Sequence, residues 1–291
     1  MEGNVMRKIM IKLMALFLCI QTMNPIIFNS DSTVHAATTT TNNIAIMIEF
    51  SDLTSTSLDS DAVLKNADII MNDDGSATEQ ISTVYGNMPI VSLKSFINKY
   101  SYGTKDIQTT FFPQDTNGKV VSYTAPHPRS YYLRNSEDGY GNDSAEMLRR
   151  RKELLDGALE SAKTAIESTY SAADLDTNGD GYVDAVTFFV EGESYFNDQS
   201  KVTWRDLLWS HKSEINFSTK LKGKSVYTYS LINTYDPTGI MGAFSLNRSG
   251  YGTILHEYMH VLGLMDLYRG SADGYPVGQY DLMGNVVNFA P

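Results

Sequence analysis

His256-Glu257-Tyr258-Met259-His260 constrains this 291-residue chain more than any other stretch. Histidines four apart project from one face of a helix, one turn above the other. Two imidazoles so placed can hold one zinc ion. Glu257, next to the first of them, can reach a water at that ion without displacing it. Zinc lowers the pKa of such a water toward neutrality and polarises a carbonyl. The segment therefore predicts a helix that presents metal ligands and a general base together.

The residues downstream extend the pattern. Gly263, three after His260, can end the helix in a left-handed turn and reverse the chain. Asp266 lies three further on, where a returning chain can bring a third ligand to the metal. A glutamate elsewhere, His127 and His211 are the other third-ligand candidates. The arrangement His256-Glu257-x-x-His260-x-x-Gly263-x-x-Asp266 resembles the long zinc motif of the metzincins, with aspartate in place of their usual third histidine. Tyr280-Asp281-Leu282-Met283-Gly284 resembles their Met-turn, in which the methionine lies beneath the metal.

Further segments match a narrower group. IEFSDL (48–53), SLKSFINKYSYG (92–103), VDAVTFFVEG (183–192), LWSHK (208–212), HEYMHVLGLMDLY (256–268) and GQYDLMG (278–284) follow one another along the chain. With them the sequence resembles the immune inhibitor A family of secreted bacterial metalloproteases. The resemblance implies an α+β, zincin-like catalytic domain over residues 44–291. That fold has a mixed twisted sheet, an active-site helix and a Met-turn below the cleft. It implies zinc on His256, His260 and Asp266, with Glu257 as general base for hydrolysis of protein or peptide substrates. It also makes His211 a cleft candidate, and Tyr251, Tyr268 and Tyr280 candidates for stabilising an oxyanion. The chain departs from the family at Tyr280, where tryptophan is common, and at Met265, where proline is common. Only eight residues follow Met283, so the part below the cleft, after about residue 264, is expected to be short or truncated.

A second metal is suggested independently. Asp176, Asn178, Asp180, Tyr182 through its carbonyl, and Asp184 fall at positions 1, 3, 5, 7 and 9 of an EF-hand-like loop, with Gly181 at position 6. Thr187 stands at position 12 in place of the bidentate glutamate. The expectation is a structural calcium loop leading into a strand, Ala185 to Val190. An Asp/Asn/Gly-rich turn that binds nothing is the plain alternative.

The remaining sequence supplies setting. Arg7, Lys8 and Lys12 precede an apolar run from Leu13 to Ile20, and Val34-His35-Ala36 offers a cleavage site, so residues 1–36 read as a signal peptide. The run of eight is too short to span a bilayer, which needs roughly 20 residues. The expectation is a secreted protein without a stable membrane anchor. Cys19 falls in the signal, leaving the mature chain free of cysteine. Residues 37–43 read as a polar linker, and Ile44–Phe50 as a buried strand. Leu58–Met71 reads as a helix, Ile81–Tyr85 and Pro89–Leu93 as short strands, and Phe111–Tyr132 as largely irregular. Ser144–Tyr170 reads as a long helix, capped by Asp143 with Glu146 in a capping box. Its apolar face is Met147, Leu148, Leu155, Leu159, Ala162 and Ile166. Arg149-Arg150-Arg151 reads as its solvated side. A net charge of −11 offers no basic surplus for nucleic acid. The alternative to an enzyme is a non-catalytic, calcium-binding surface module on the same scaffold, against which the intact Glu257 argues.

Overall fold

The computed structural model describes residues 38–53, 57–74, 80–83, 86–89, 91–132, 145–193, 208, 210–235, 248–268, 277 and 281–284. Among the described residues the strands are β1 (Thr39–Glu49), β2 (Gln80–Thr83), β3 (Gly86–Pro89), β4 (Lys105–Phe112), β5 (Tyr123–Thr124), β6 (Ala185–Glu193), β7 (His211–Glu214), β8 (Lys220–Leu221), β9 (Lys224–Ser225) and β10 (Thr228–Tyr235). The α-helices are α1 (Asp61–Asn72), α2 (Leu93–Tyr100), α3 (Ala145–Thr169), α4 (Ala172–Leu175) and α5 (Arg248–Val261).

The main sheet runs β4-β1-β6-β10-β7, with β5 added beside the end of β1. Strands β4, β1, β6 and β10 are parallel, and β7 alone is antiparallel, at the edge. Parallel strands are covered on both faces and so read as continuous apolar runs. In β1, Ile44, Ala45, Ile46, Met47 and Ile48 are all fully buried. Alternate side chains serve different layers. Ala45 and Met47 pack with residues of α1, α2 and α5, while Ile44, Ile46 and Ile48 pack with α3. Helices thus lie on both sides of one mixed sheet. The mixed sheet is the one expected, and the layering is mixed α/β.

A buried polar row crosses the α5 side of the sheet. Asn43 Nδ2 donates to Thr109 Oγ1 at 3.2 Å, Thr187 Oγ1 donates to Asn43 Oδ1 at 3.0 Å, and Ser230 Oγ donates to Thr187 Oγ1 at 3.0 Å. Each group is satisfied by its neighbour on the next strand, so a one-residue slip of any strand would strand a buried polar group.

Several elements differ from the sequence expectation. The residues expected as linker, from Thr39 to Asn43, form the first half of β1 and pair with Lys105–Thr109. Threonine is polar in composition but β-branched, and it suits a half-exposed strand. Pro89 ends β3, and Leu93 opens α2 behind Ser92, whose hydroxyl accepts the Ser95 amide. In α3, Leu148 is 44% exposed, and the apolar face runs instead through Leu154, Leu155, Ala158, Leu159, Ala162 and Ile166. Arg149 and Arg150 bind Glu146 at the surface, but Arg151 is only 7% exposed, so the three arginines do not share one solvated side. Asp143 lies outside the described residues.

Candidate active site

The last two turns of α5 bring His256, Glu257 and His260 to the end of the helix beside β7 and β10. Gly263 then reverses the chain. Its φ is 93°, its amide donates to His260 O at 3.0 Å, and the Leu264 amide donates to Met259 O at 3.0 Å. This pair of bonds is a Schellman termination, which needs a residue able to sit in the left-handed region. It returns Asp266 to the two histidines.

The resulting geometry is a triangle. His256 Nε2 lies 3.2 Å from His260 Nε2, and Asp266 Oδ1 lies 3.2 Å from each. The opposite ring nitrogens are engaged: His256 Nδ1 donates to Leu282 O at 2.9 Å, and His260 Nδ1 to Leu264 O at 2.7 Å. Both carbonyls only accept, so each Nδ1 carries a proton, and Nε2 is the ring nitrogen left to offer a lone pair at the shared point. Two lone pairs and a carboxylate oxygen facing one another repel unless a cation sits among them. A tetrahedral ion with ligands at ~2.0 Å has ligand–ligand edges of about 3.3 Å, which the triangle matches. Among the described residues this is the one group of three or more His, Cys, Asp or Glu with converging ligand atoms.

Glu257 stands beside the triangle at 8% exposure. Its Oε2 accepts the Lys212 amide of edge strand β7 at 2.7 Å. Burial pushes its pKa up to about 7, opposed by His260 and the Lys212 amide and assisted by the Asp266 charge. Burial likewise lowers the pKa of His256. The phenol of Tyr268 bonds to Asp266 and is pushed up to about 12, first by burial and then by Asp266 and Glu257. Of the three candidate tyrosines, Tyr268 is thus beside the His-His-Asp triangle. Nothing is described of the side chains of Tyr251 and Tyr280.

Residues 281–284, whose Leu282 carbonyl meets His256, form a tight turn in which Gly284 N donates to Asp281 O. Met283 is 3% exposed and packs with Ile254, Leu255 and Tyr258 of α5. Its carbonyl accepts the Leu267 amide at 2.9 Å, tying the returning chain to the turn.

Other candidates lie apart. His211 pairs across strands with Leu231, on the α3 side of the sheet, and its ring packs edge-on against Tyr229. Its side chain therefore lies on the α3 face of the sheet, opposite α5. His127 stacks on Tyr131 and meets Glu153 at 3.3 Å. In the Asp-rich loop, Asp176 Oδ1 accepts the amides of Gly179 and Asp180. Its Oδ2 accepts the Gly181 amide and pairs with Lys224 at 2.6 Å. Asn178 and Asp180 bond to each other, and Asp184 Oδ2 takes the amide and hydroxyl of Thr177. The loop carboxylates do not converge as the triangle does, and a lysine supplies positive charge at Asp176.

Three contributors to the site carry no sequence signal: the Lys212 amide and the carbonyls of Leu264 and Leu282. Every residue type has these groups, so only the fold reveals them.

The family model of the immune inhibitor A peptidase M6 catalytic domain matches residues 30–287. No curated protein matches the chain. Among solved structures, the crystal structure of wild-type OgpA from Akkermansia muciniphila matches at 14% identity with a TM-score of 0.33. The match covers 82% of this chain and 52% of that one, so the chain spans about half of its length. The His-His-Asp triangle falls within the matched span, and the chain belongs to the immune inhibitor A (M6) peptidases, a family of metallopeptidases.

Proposed function

We propose that this chain is a secreted, zinc-dependent endopeptidase of metzincin type. The observation that carries the reading is the 3.2 Å triangle of His256, His260 and Asp266 with the buried Glu257 carboxylate beside it. Two neutral imidazoles and one carboxylate are a donor set suited to zinc. When bound, zinc supplies a Lewis acid that activates water and polarises the peptide carbonyl.

The chain's own groups supply the rest. Glu257 takes the proton of the attacking water and passes it to the leaving amine. Its raised pKa suits both halves of that shuttle near neutral pH. The Lys212 amide fixes the carboxylate against rotation. Leu282 O and Leu264 O hold the imidazoles in the tautomer that leaves Nε2 free. The 281–284 turn, with Met283 buried among residues of α5 and Leu282 O bonded to His256, is read as the Met-turn. Tyr268 is the tyrosine closest to hand for an oxyanion. An extended substrate can add to β7, which pairs with β10 on one side and with no described strand on the other.

Export follows from residues 1–36, and the secreted protein is expected to begin at Ala37. No helix among the described residues is long and apolar enough to cross a membrane. The deciding experiment is cleavage of an unstructured protein, with and without a zinc chelator, beside Glu257→Ala. Activity lost under both treatments supports the mechanism, and cleavage surviving both rules it out.

A further inference from the structure

Both imidazoles of the triangle are held from behind, His256 Nδ1 by Leu282 O at 2.9 Å and His260 Nδ1 by Leu264 O at 2.7 Å. The third corner comes from outside the helix. Asp266 reaches the two histidines from the returning chain, on a side chain 37% exposed. Water competes for the oxygens of such a carboxylate, and packing alone does not enclose it. Among the described residues, the hydrogen-bond donor that meets it from outside the triangle is the phenol of Tyr268, two residues further on.

A carboxylate only accepts, so the phenol donates. The backbone between the two groups is anchored: the Leu267 amide donates to Met283 O at 2.9 Å, which ties it to the 281–284 turn. Gly263 fixes the chain before Asp266, and this bond fixes it after. Groups that hydrogen-bond a metal ligand from behind orient it and tune its basicity. Closeness alone makes Tyr268 a candidate for an oxyanion, but a phenol has one proton to donate. While that proton is on Asp266 it serves the ligand.

We propose that Tyr268 is a positioning residue for the third metal ligand: its hydroxyl holds the Asp266 carboxylate on the triangle, as Leu282 O and Leu264 O hold the imidazoles. It acts through Asp266 on the affinity for the metal, not on the substrate. The inference rests on the reading of the triangle as a zinc site, and it does not require that the chain cleave peptides.

The test is zinc affinity of the full chain, measured by competition with a chromophoric chelator, for the parent, Tyr268→Phe and Met265→Ala. Tyr268→Phe removes the hydroxyl and keeps the ring, which is 46% exposed, so the metal-free variant is expected to melt close to the parent. Met265 adjoins Asp266 on the other side and is 75% exposed, so its truncation serves as the control for a change in packing. The expected result is a loss of roughly 10–100-fold in zinc affinity for Tyr268→Phe, the usual effect of removing a group that orients a ligand. Met265→Ala should bind zinc as the parent does. The visible spectrum of the cobalt(II)-loaded protein should change in Tyr268→Phe and not in Met265→Ala, because the carboxylate is no longer held in one orientation. Zinc affinity unchanged in Tyr268→Phe overturns the proposal, and if turnover with saturating zinc is then lost, the phenol acts on the substrate instead. Equal losses in both variants also overturn it. A parent that binds no zinc overturns both this inference and the zinc reading, whereas a parent that binds zinc but cleaves no protein refutes the peptidase reading alone.

Discussion

Oε2 of Glu257 accepts the backbone amide of Lys212 at 2.7 Å, so the edge strand of the sheet holds the general base of the proposed mechanism. The bond does not offset the burial of the carboxylate, whose pKa is pushed up to about 7 from 4.5. A raised acid pKa means that the folded protein binds more protons than the unfolded one between those values. Metal-free stability therefore falls as pH rises from about 4.5 to 7, then levels off. At ~1.4 kcal/mol per unit the loss is on the order of 3 kcal/mol. Glu257→Gln keeps an oxygen for the Lys212 amide and removes the charge. The metal-free variant should melt higher than the parent at pH 8, with the difference vanishing by pH 4, while its peptidase activity is lost. Parallel melting curves at all pH values would refute this account of the buried carboxylate.

Asp266 closes the triangle from a chain segment outside the helix, so its removal leaves the two histidines and their carbonyl partners in place. Asp266→Ala is expected to fold like the parent in the metal-free state, as the side chain is surface-exposed. Zinc content after dialysis should fall well below one ion per chain. Emission spectrometry of the purified protein reads this directly, and full retention would return the third-ligand role to another residue.

The parts of the site legible in the sequence are those set by local geometry. His256, Glu257 and His260 follow from helical spacing alone, and Asp266 follows from Gly263, because a left-handed helix stop turns the chain back within a few residues. Longer-range parts were not legible. His211 sits one residue from Lys212, yet strand alternation sends its ring to the α3 side while the neighbouring amide reaches Glu257. Which face is which becomes known only once β7 is paired with β10. The start of β1 was hidden for a related reason: Thr39–Asn43 look like linker until β4 lies beside them. Leu148 shows the limit of periodicity, since a helical stripe can continue past the sheet that covers it.

Asp176 and Lys224 give the loop a pH dependence of opposite sign to that of Glu257. The ion pair with Lys224, with help from the Gly181 and Gly179 amides, holds the Asp176 carboxyl below its usual 3.8. A depressed acid pKa contributes stability above the unfolded value and loses it as pH falls through the folded one. Lys224→Met should move that loss to higher pH, so the variant's melting temperature begins to drop earlier on acidification than the parent's. Scanning calorimetry between pH 2 and 6 distinguishes the two, and coincident acid limbs would show that the amides alone set the carboxylate.

Gly263 offers the sharpest separation of fold from site. Its φ of 93° disfavours any side chain, and a Cβ there would meet no atom within 4 Å. The cost of Gly263→Ala is therefore conformational, about 1–2 kcal/mol, with no steric clash added. The protein can lower that cost by letting the residues after His260 leave the left-handed turn, which pulls Asp266 and the Leu264 carbonyl away from the histidines. The expected result is a modest fall in melting temperature together with a larger fall in zinc affinity. Competition with a chromophoric chelator measures the second. A variant that loses stability but binds zinc as tightly as the parent would show that Asp266 reaches the metal without the helix stop.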